Sequence, residues 1–109
     1  MNFTWPNAKT EERKLLDAIV ILLGNDPRLL AFLLDPESPR LRKRAGILKE
    51  DSWKFSHGDQ LLIHAALDLW SGSGHLQLWE MIEAWEGANW ENFIRAIQAL
   101  GLDHKEPKK

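Results

Sequence analysis

The most apolar stretch of the chain, residues 61–70, constrains the fold more than any other part of the sequence. Projected onto a helix at about 100° per residue, its apolar side chains cover most of the circumference. Four polar residues share the remaining narrow stripe, namely His57, Gln60, His64 and Asp68. A helix of this kind needs other helices around most of its surface, so we predict a buried central helix over residues 57–70.

The residues before this stretch predict where the central helix begins. Ser56 can cap the first turn, and Asp59, three residues later, can reach back as in a capping box, beside the positive end of the helix dipole. The segment from Phe55 to Gln60 resembles the signature segment of ABC-type ATPases, in which a Ser and a Gly at a helix start meet a nucleotide phosphate. Such ATPases also need a P-loop, and none of the seven glycines precedes a Lys. Capping alone accounts for this segment.

Apolar periodicity and cap residues predict five further helices. Asp26 and Ser38 each precede a proline, which is a common way to start a helix. The predicted spans are residues 10–23, 27–34, 38–46, 75–86 and 89–100. No strand-like alternation is found. We therefore predict an all-α fold, a single compact orthogonal bundle of about five to six helices, formed by one domain over residues 1–109 with a frayed tail at residues 102–109.

The last two predicted helices each carry an apolar stripe that we expect to face the core. The stripes are Leu78, Met81, Ile82 and Trp85 in the first, and Trp90, Phe93, Ile94, Ile97 and Leu100 in the second. Trp79 lies about 60° beyond Ile82, at the border between the core face and the carboxylates of Glu83 and Glu86. We expect Trp79 to be only partly covered.

The composition excludes several kinds of site and of protein. Without Cys, the chain has no disulfide, no thiolate nucleophile and no Cys-ligated zinc. No apolar run approaches the roughly 18 residues of a membrane span, and residues 1–6 lack a secretory pattern, so we expect a cytoplasmic protein. The six Trp are too many for the core to bury completely, and we expect one or two at the surface.

The charges are unevenly distributed, although the net charge of −2 argues against binding nucleic acid by bulk charge. No Lys or Arg occurs between Lys54 and Arg95. In contrast, residues 38–49 hold five cations and no carboxylate: Arg40, Arg42, Lys43, Arg44 and Lys49. This segment is either the solvated face of a helix or a patch for an acidic partner or a phosphate backbone.

Residues 41–46 resemble the first helix and turn of many helix-turn-helix repressors, which implies DNA binding. A recognition helix should then follow within about a dozen residues. The next long helix, which begins after Ser56, is too apolar to lie in a DNA groove. We therefore predict no recognition helix after the basic segment.

The polar stripe of the central helix is a candidate metal site. His57, His64 and Asp68 fall on one side of the helix, and His75 could complete the set if the connector folds back. The alternative is that the stripe is the water-facing edge of a buried helix. We favour this alternative and predict no metal, no cofactor and no catalytic residue.

Together these features favour a small non-enzymatic module for protein–protein interaction, an adaptor or regulator. The predicted partner surface is formed by Trp79, Glu83 and Glu86, with the basic segment as a separate patch, and the partner is another protein or a second copy of the chain. One alternative is a nucleic-acid-associated protein that uses residues 40–49. Another is a metal-dependent enzyme built on the His57, His64 and Asp68 stripe.

Overall fold

The structure, a computed structural model, describes Trp5, residues 8–72 and residues 74–104, the last three by backbone alone. Within these residues the chain forms six α-helices and no strand, which confirms the predicted all-α bundle. The helices are α1 (Thr10–Leu22), α2 (Pro27–Leu33), α3 (Ala45–Asp51), α4 (His57–Ser71), α5 (Leu78–Ala84) and α6 (Gly87–His104), and a 3₁₀ helix, Ser52–Lys54, follows α3. Over the same residues no helix is both long and apolar enough to cross a membrane. Of the predicted frayed tail, residues 102–104 belong to α6, and residues 105–109 lie outside the described part.

α4 is the central helix, as predicted. It contacts α1, α2, α3 and α5, and its buried side chains are Leu61, Leu62, Ile63, Ala65, Ala66 and Leu67. Ser56 Oγ accepts a hydrogen bond from the backbone N–H of Asp59 at 3.2 Å, which confirms the predicted N-cap. The Asp59 carboxylate lies 3.4 Å from Arg28 Nη2, so the start of α4 is also linked to α2.

α1 and α6 pack against each other. Of the α6 side chains that the structure describes, Ala96 is the buried one. Ile94 and Ile97 lie about 160° and 100° round the helix from Ala96, and both are exposed. The prediction that these two isoleucines face the core is therefore wrong. α6 also begins at Gly87, before the predicted cap Asn89.

The segment between α2 and α3 is not helical, so the helix predicted over residues 38–46 is wrong. Asp35 Oδ1 accepts hydrogen bonds from the backbone N–H groups of Glu37 at 2.8 Å and Ser38 at 3.2 Å. An isolated antiparallel bridge then pairs Leu34 with Leu41. Because the Asp35 side chain holds these N–H groups in a turn and the bridge keeps the next residues extended, a helix starts only with α3.

Trp5 anchors the beginning of the chain to this turn. Its indole is buried, and Nε1 donates a hydrogen bond to the Asp35 carbonyl oxygen at 2.7 Å. Arg13 Nη2 on α1 donates to the Trp5 carbonyl oxygen. One tryptophan therefore joins α1 to the α2–α3 connection.

Candidate functional site

Helix α5 carries an exposed apolar surface made of three side chains. Leu78 and Trp79 are each 67% exposed and Ile82 is 55% exposed; these three residues are the α5 face. Met81 on the same helix is buried, and Trp85 just after it is 5% exposed. The prediction that Leu78 and Ile82 face the core is therefore wrong, whereas Trp79 is partly covered, in line with its predicted place at the border of the core face.

The connector between α4 and α5 determines where α5 begins. Asp68, near the end of α4, accepts three backbone hydrogen bonds, from the N–H groups of Gly74 at 2.7 Å, His75 at 3.1 Å and Leu76 at 3.1 Å. These bonds hold a non-helical backbone in which His75 has a φ of 54°. The helix predicted from residue 75 therefore starts three residues later than predicted.

Two close contacts with α4 fix the position of α5. Before the helix, Gly74 packs so tightly that a Cβ there would lie 1.8 Å from the His64 carbonyl oxygen. After the helix, Trp85 Nε1 donates a hydrogen bond to the Gly58 carbonyl oxygen at 3.0 Å. The Trp85 ring also packs edge-on against Trp90, with ring centroids 5.3 Å apart. Because the residues before and after α5 are both held against α4, the α5 face has a defined position on the surface.

Three carboxylates lie on α5 or directly after it. Glu80 is half-buried, Glu83 and Glu86 are exposed, and we name the three the acidic edge. Glu83 follows Trp79 about 40° further round the helix. No ion pair between described residues involves the acidic edge. The predicted partner residues Trp79, Glu83 and Glu86 thus lie on α5 or directly after it, next to two aliphatic side chains that sequence reasoning had assigned to the core.

The predicted basic residues lie mainly on a loop instead of a helix. Residues 40–44, the basic loop, include the bridge residue Leu41 and hold four exposed cations before α3 begins, whereas Lys49 lies apart on α3 and is half-buried. The prediction of a basic helix is therefore wrong, but the four loop cations remain exposed as a group. Three of them contact an acceptor: Arg40 Nε lies 3.6 Å from Asp35 Oδ2, Arg42 Nε donates to the Ala31 carbonyl oxygen at 2.8 Å, and Lys43 Nζ lies 3.5 Å from Asp51 Oδ2.

The polar stripe of α4 holds neighbouring segments in place. Gln60 Nε2 donates to the Phe55 carbonyl oxygen at 2.9 Å, and Asp68 binds the α4–α5 connector as described above. His64 Nε2 lies 3.5 Å from Ser52 Oγ, and burial lowers the pKa of this imidazole below its ordinary value. His57 is exposed. Among the side chains that the structure describes, no group of three or more His, Asp or Glu is arranged to hold a metal ion.

A groove of about 470 Å³ lies between the end of α1 and α6. Its polar side chains are Asn25, Asn92 and Arg95, none of which is buried. A site for a small molecule usually encloses its ligand and aims polar groups at it. The groove is open and would not enclose a ligand.

The chain has no match among known protein-family models, curated proteins or solved structures.

Proposed function

We propose that the chain is a non-enzymatic interaction module, an adaptor or regulator that docks a protein partner on the α5 face. The observation that carries this proposal is that Leu78, Trp79 and Ile82 each expose more than half of their surface on one short helix. Contiguous exposed apolar side chains with a polar rim are typical of interaction sites, and Trp is enriched among the residues that dominate binding energy. As part of the same proposal we place the module in the cytoplasm, since a chain without Cys suits a reducing compartment.

The way α5 is held supports this proposal. Asp68 fixes the chain before the helix and Trp85 fixes the chain after it. A partner therefore meets side chains on a backbone that is already ordered. Binding to such a surface costs less conformational entropy than binding to a flexible segment, which leaves more of the apolar burial as affinity.

The test compares two exposed tryptophans. Trp79→Ala should weaken binding by about 2 kcal/mol or more, because it removes the largest side chain of the α5 face. Trp53→Ala is the matched control, since Trp53 is 75% exposed but lies in the 3₁₀ helix. The immobilised chain and both variants are incubated with an extract of the native source, and retained proteins are quantified. We expect one protein to be retained by the original chain and by Trp53→Ala but not by Trp79→Ala; equal retention by all three would contradict the proposal.

A second candidate function, association with nucleic acid, is favoured by the four exposed cations of the basic loop. It predicts binding to duplex or single-stranded nucleic acid that weakens steeply as salt is added. Lys43→Glu combined with Arg44→Glu should abolish this binding in a mobility-shift assay. Arg42 is left unchanged because its guanidinium holds the Ala31 carbonyl oxygen and its loss would disturb the fold. Binding that survives the double change would exclude the basic loop as the contact surface.

A further inference from the structure

The Lys, Arg, Asp and Glu side chains on α5 and directly after it are all acidic. Glu83 and Glu86 are exposed, Glu80 is half-buried, and no cation of the described residues pairs with any of them. No Lys or Arg occurs in residues 55–94. A partner that covers this face must therefore bring its own cations or leave the acidic edge unneutralised.

This charge pattern argues against a second copy of the chain as the partner. In a twofold dimer through the α5 face, both copies would bring their acidic edge to the interface and neither α5 would bring a cation, because such an interface uses the same surface of both copies. The size of the surface also favours a single segment of a partner over a second globular copy. A helix of seven residues is only about 10 Å long, whereas a stable interface between globular proteins covers about 800 Å² of each partner.

The secondary structure favours a helical partner. Peptides that bind as an added strand need an exposed sheet edge, and the described residues contain no strand beyond an isolated bridge. Leu78, Trp79 and Ile82 instead form a ridge at positions i, i+1 and i+4, and a ridge of this kind packs into the groove between side chains of another helix. Resting on the function proposed above, we infer that the occupant of the α5 face is a basic amphipathic helix, with an apolar stripe that covers the three side chains and Lys or Arg that face the acidic edge.

The probes are three labelled amphipathic peptides of about 18 residues with one shared Leu stripe. Their polar positions are all Lys, all Glu, or alternating Lys and Glu with no net charge. Binding to the full chain is measured by fluorescence anisotropy. We expect the Lys peptide to bind at least about tenfold more tightly than the neutral peptide, the Glu peptide to bind most weakly, and the advantage of the Lys peptide to shrink as salt screens the charges.

Variants test whether the Lys peptide binds on the α5 face. Trp79→Ala should reduce the affinity for the Lys peptide by about 30-fold, which is the size of a binding hot spot. Combined substitution of Glu80, Glu83 and Glu86 by Gln should remove most of the difference between the Lys and the neutral peptide. The matched controls are Trp53→Ala and combined substitution of Glu11, Glu37 and Glu50 by Gln, all of which change exposed side chains on other elements. Both controls should bind the Lys peptide like the original chain.

Each contrary outcome has a distinct meaning. If the Glu or the neutral peptide binds as tightly as the Lys peptide and depends on Trp79, the basic partner is wrong but the interaction function stands. If no peptide binds, or if binding of the Lys peptide ignores Trp79, the inferred partner is wrong, and the extract experiment still decides the proposed function because it does not depend on these peptides. If sedimentation without peptide shows a dimer that is lost in Trp79→Ala, the occupant is a second copy.

Discussion

Trp79 and Trp85 lie six residues apart. Because one is exposed and the other buried, replacing each by Ala should change the free energy of unfolding by very different amounts. Trp85 is 5% exposed and its indole N–H is bonded to the Gly58 carbonyl oxygen, whereas Trp79 is 67% exposed. Trp85→Ala should lower the free energy of unfolding by about 3–5 kcal/mol, because it leaves a cavity and an unpaired carbonyl. Trp79→Ala should change it by less than about 0.5 kcal/mol. Urea denaturation measures both, and equal losses would show that Trp79 contributes to the core in solution.

The titration of the Asp35 carboxyl should make the stability of the fold depend on pH. The backbone N–H of Glu37, then that of Ser38, and the nearby Arg40 hold the pKa of the Asp35 carboxyl below its usual range. A carboxyl with a lowered folded-state pKa contributes stability that is present above its unfolded value of about 3.9 and is lost as pH falls through the folded value. The urea midpoint should therefore fall as the solution is acidified below about pH 4.

Asp35→Asn is the control for this pH dependence, because it keeps an acceptor oxygen for the turn and removes the titrating group. Its urea midpoint should fall less steeply over the same pH range. Asp26 also has a pKa lowered by its hydrogen bond with Arg28, so part of the acid sensitivity will remain in the variant. An unchanged slope in Asp35→Asn would show that the turn does not depend on the ionised form of Asp35.

At the scale of elements, the start of a helix could be predicted where a residue directly before the helix caps its first turn. Asp26 accepts a hydrogen bond from the backbone N–H of Arg28, and Ser56 accepts one from Asp59, so α2 and α4 begin where the sequence predicts. α3 and α5 begin later than the sequence predicts. Before each of them, the side chain of an earlier Asp (Asp35 or Asp68) accepts hydrogen bonds from backbone N–H groups of the following segment. For α5 the captured N–H groups are six to eight residues away from Asp68, beyond the range of local periodicity.

The connector before α5 can be tested at a single glycine. Gly74→Ala would place a Cβ 1.8 Å from the carbonyl oxygen of His64 in the middle of α4, so the connector or α4 must move. We expect a loss of about 1–3 kcal/mol of stability and weaker binding to the Lys peptide, because α5 shifts with its connector. Gly46→Ala is the control, since Gly46 lies in α3 with open space around its Cα, and it should be neutral or stabilising. A Gly74→Ala protein with the original melting temperature would contradict the close packing of this connector.

At the scale of the whole molecule, the fold class is predictable because α4 is apolar around most of its circumference and needs surrounding helices. The exposed surface is not predictable in the same way. α5 packs mainly against α4, and a helix of two turns with one neighbour can bury only one side. Leu78 and Ile82 match the periodicity of a core stripe, but the side that faces α4 is formed by Met81. The exposure of the α5 face therefore depends on how many helices pack against α5, and apolar periodicity does not give that number.

During synthesis on a ribosome, α1 emerges well before α6, the helix that it packs against. The two are separated by all the residues from Leu23 to Glu86. Until α6 has also emerged, apolar residues of α1 such as Leu16 and Ile19 stay partly uncovered and can stick to other nascent chains. Contacts between distant parts of a chain also form slowly. The time for which α1 stays partly uncovered on a nascent chain is therefore set by the length of chain between α1 and α6 and not by the stability of the finished bundle.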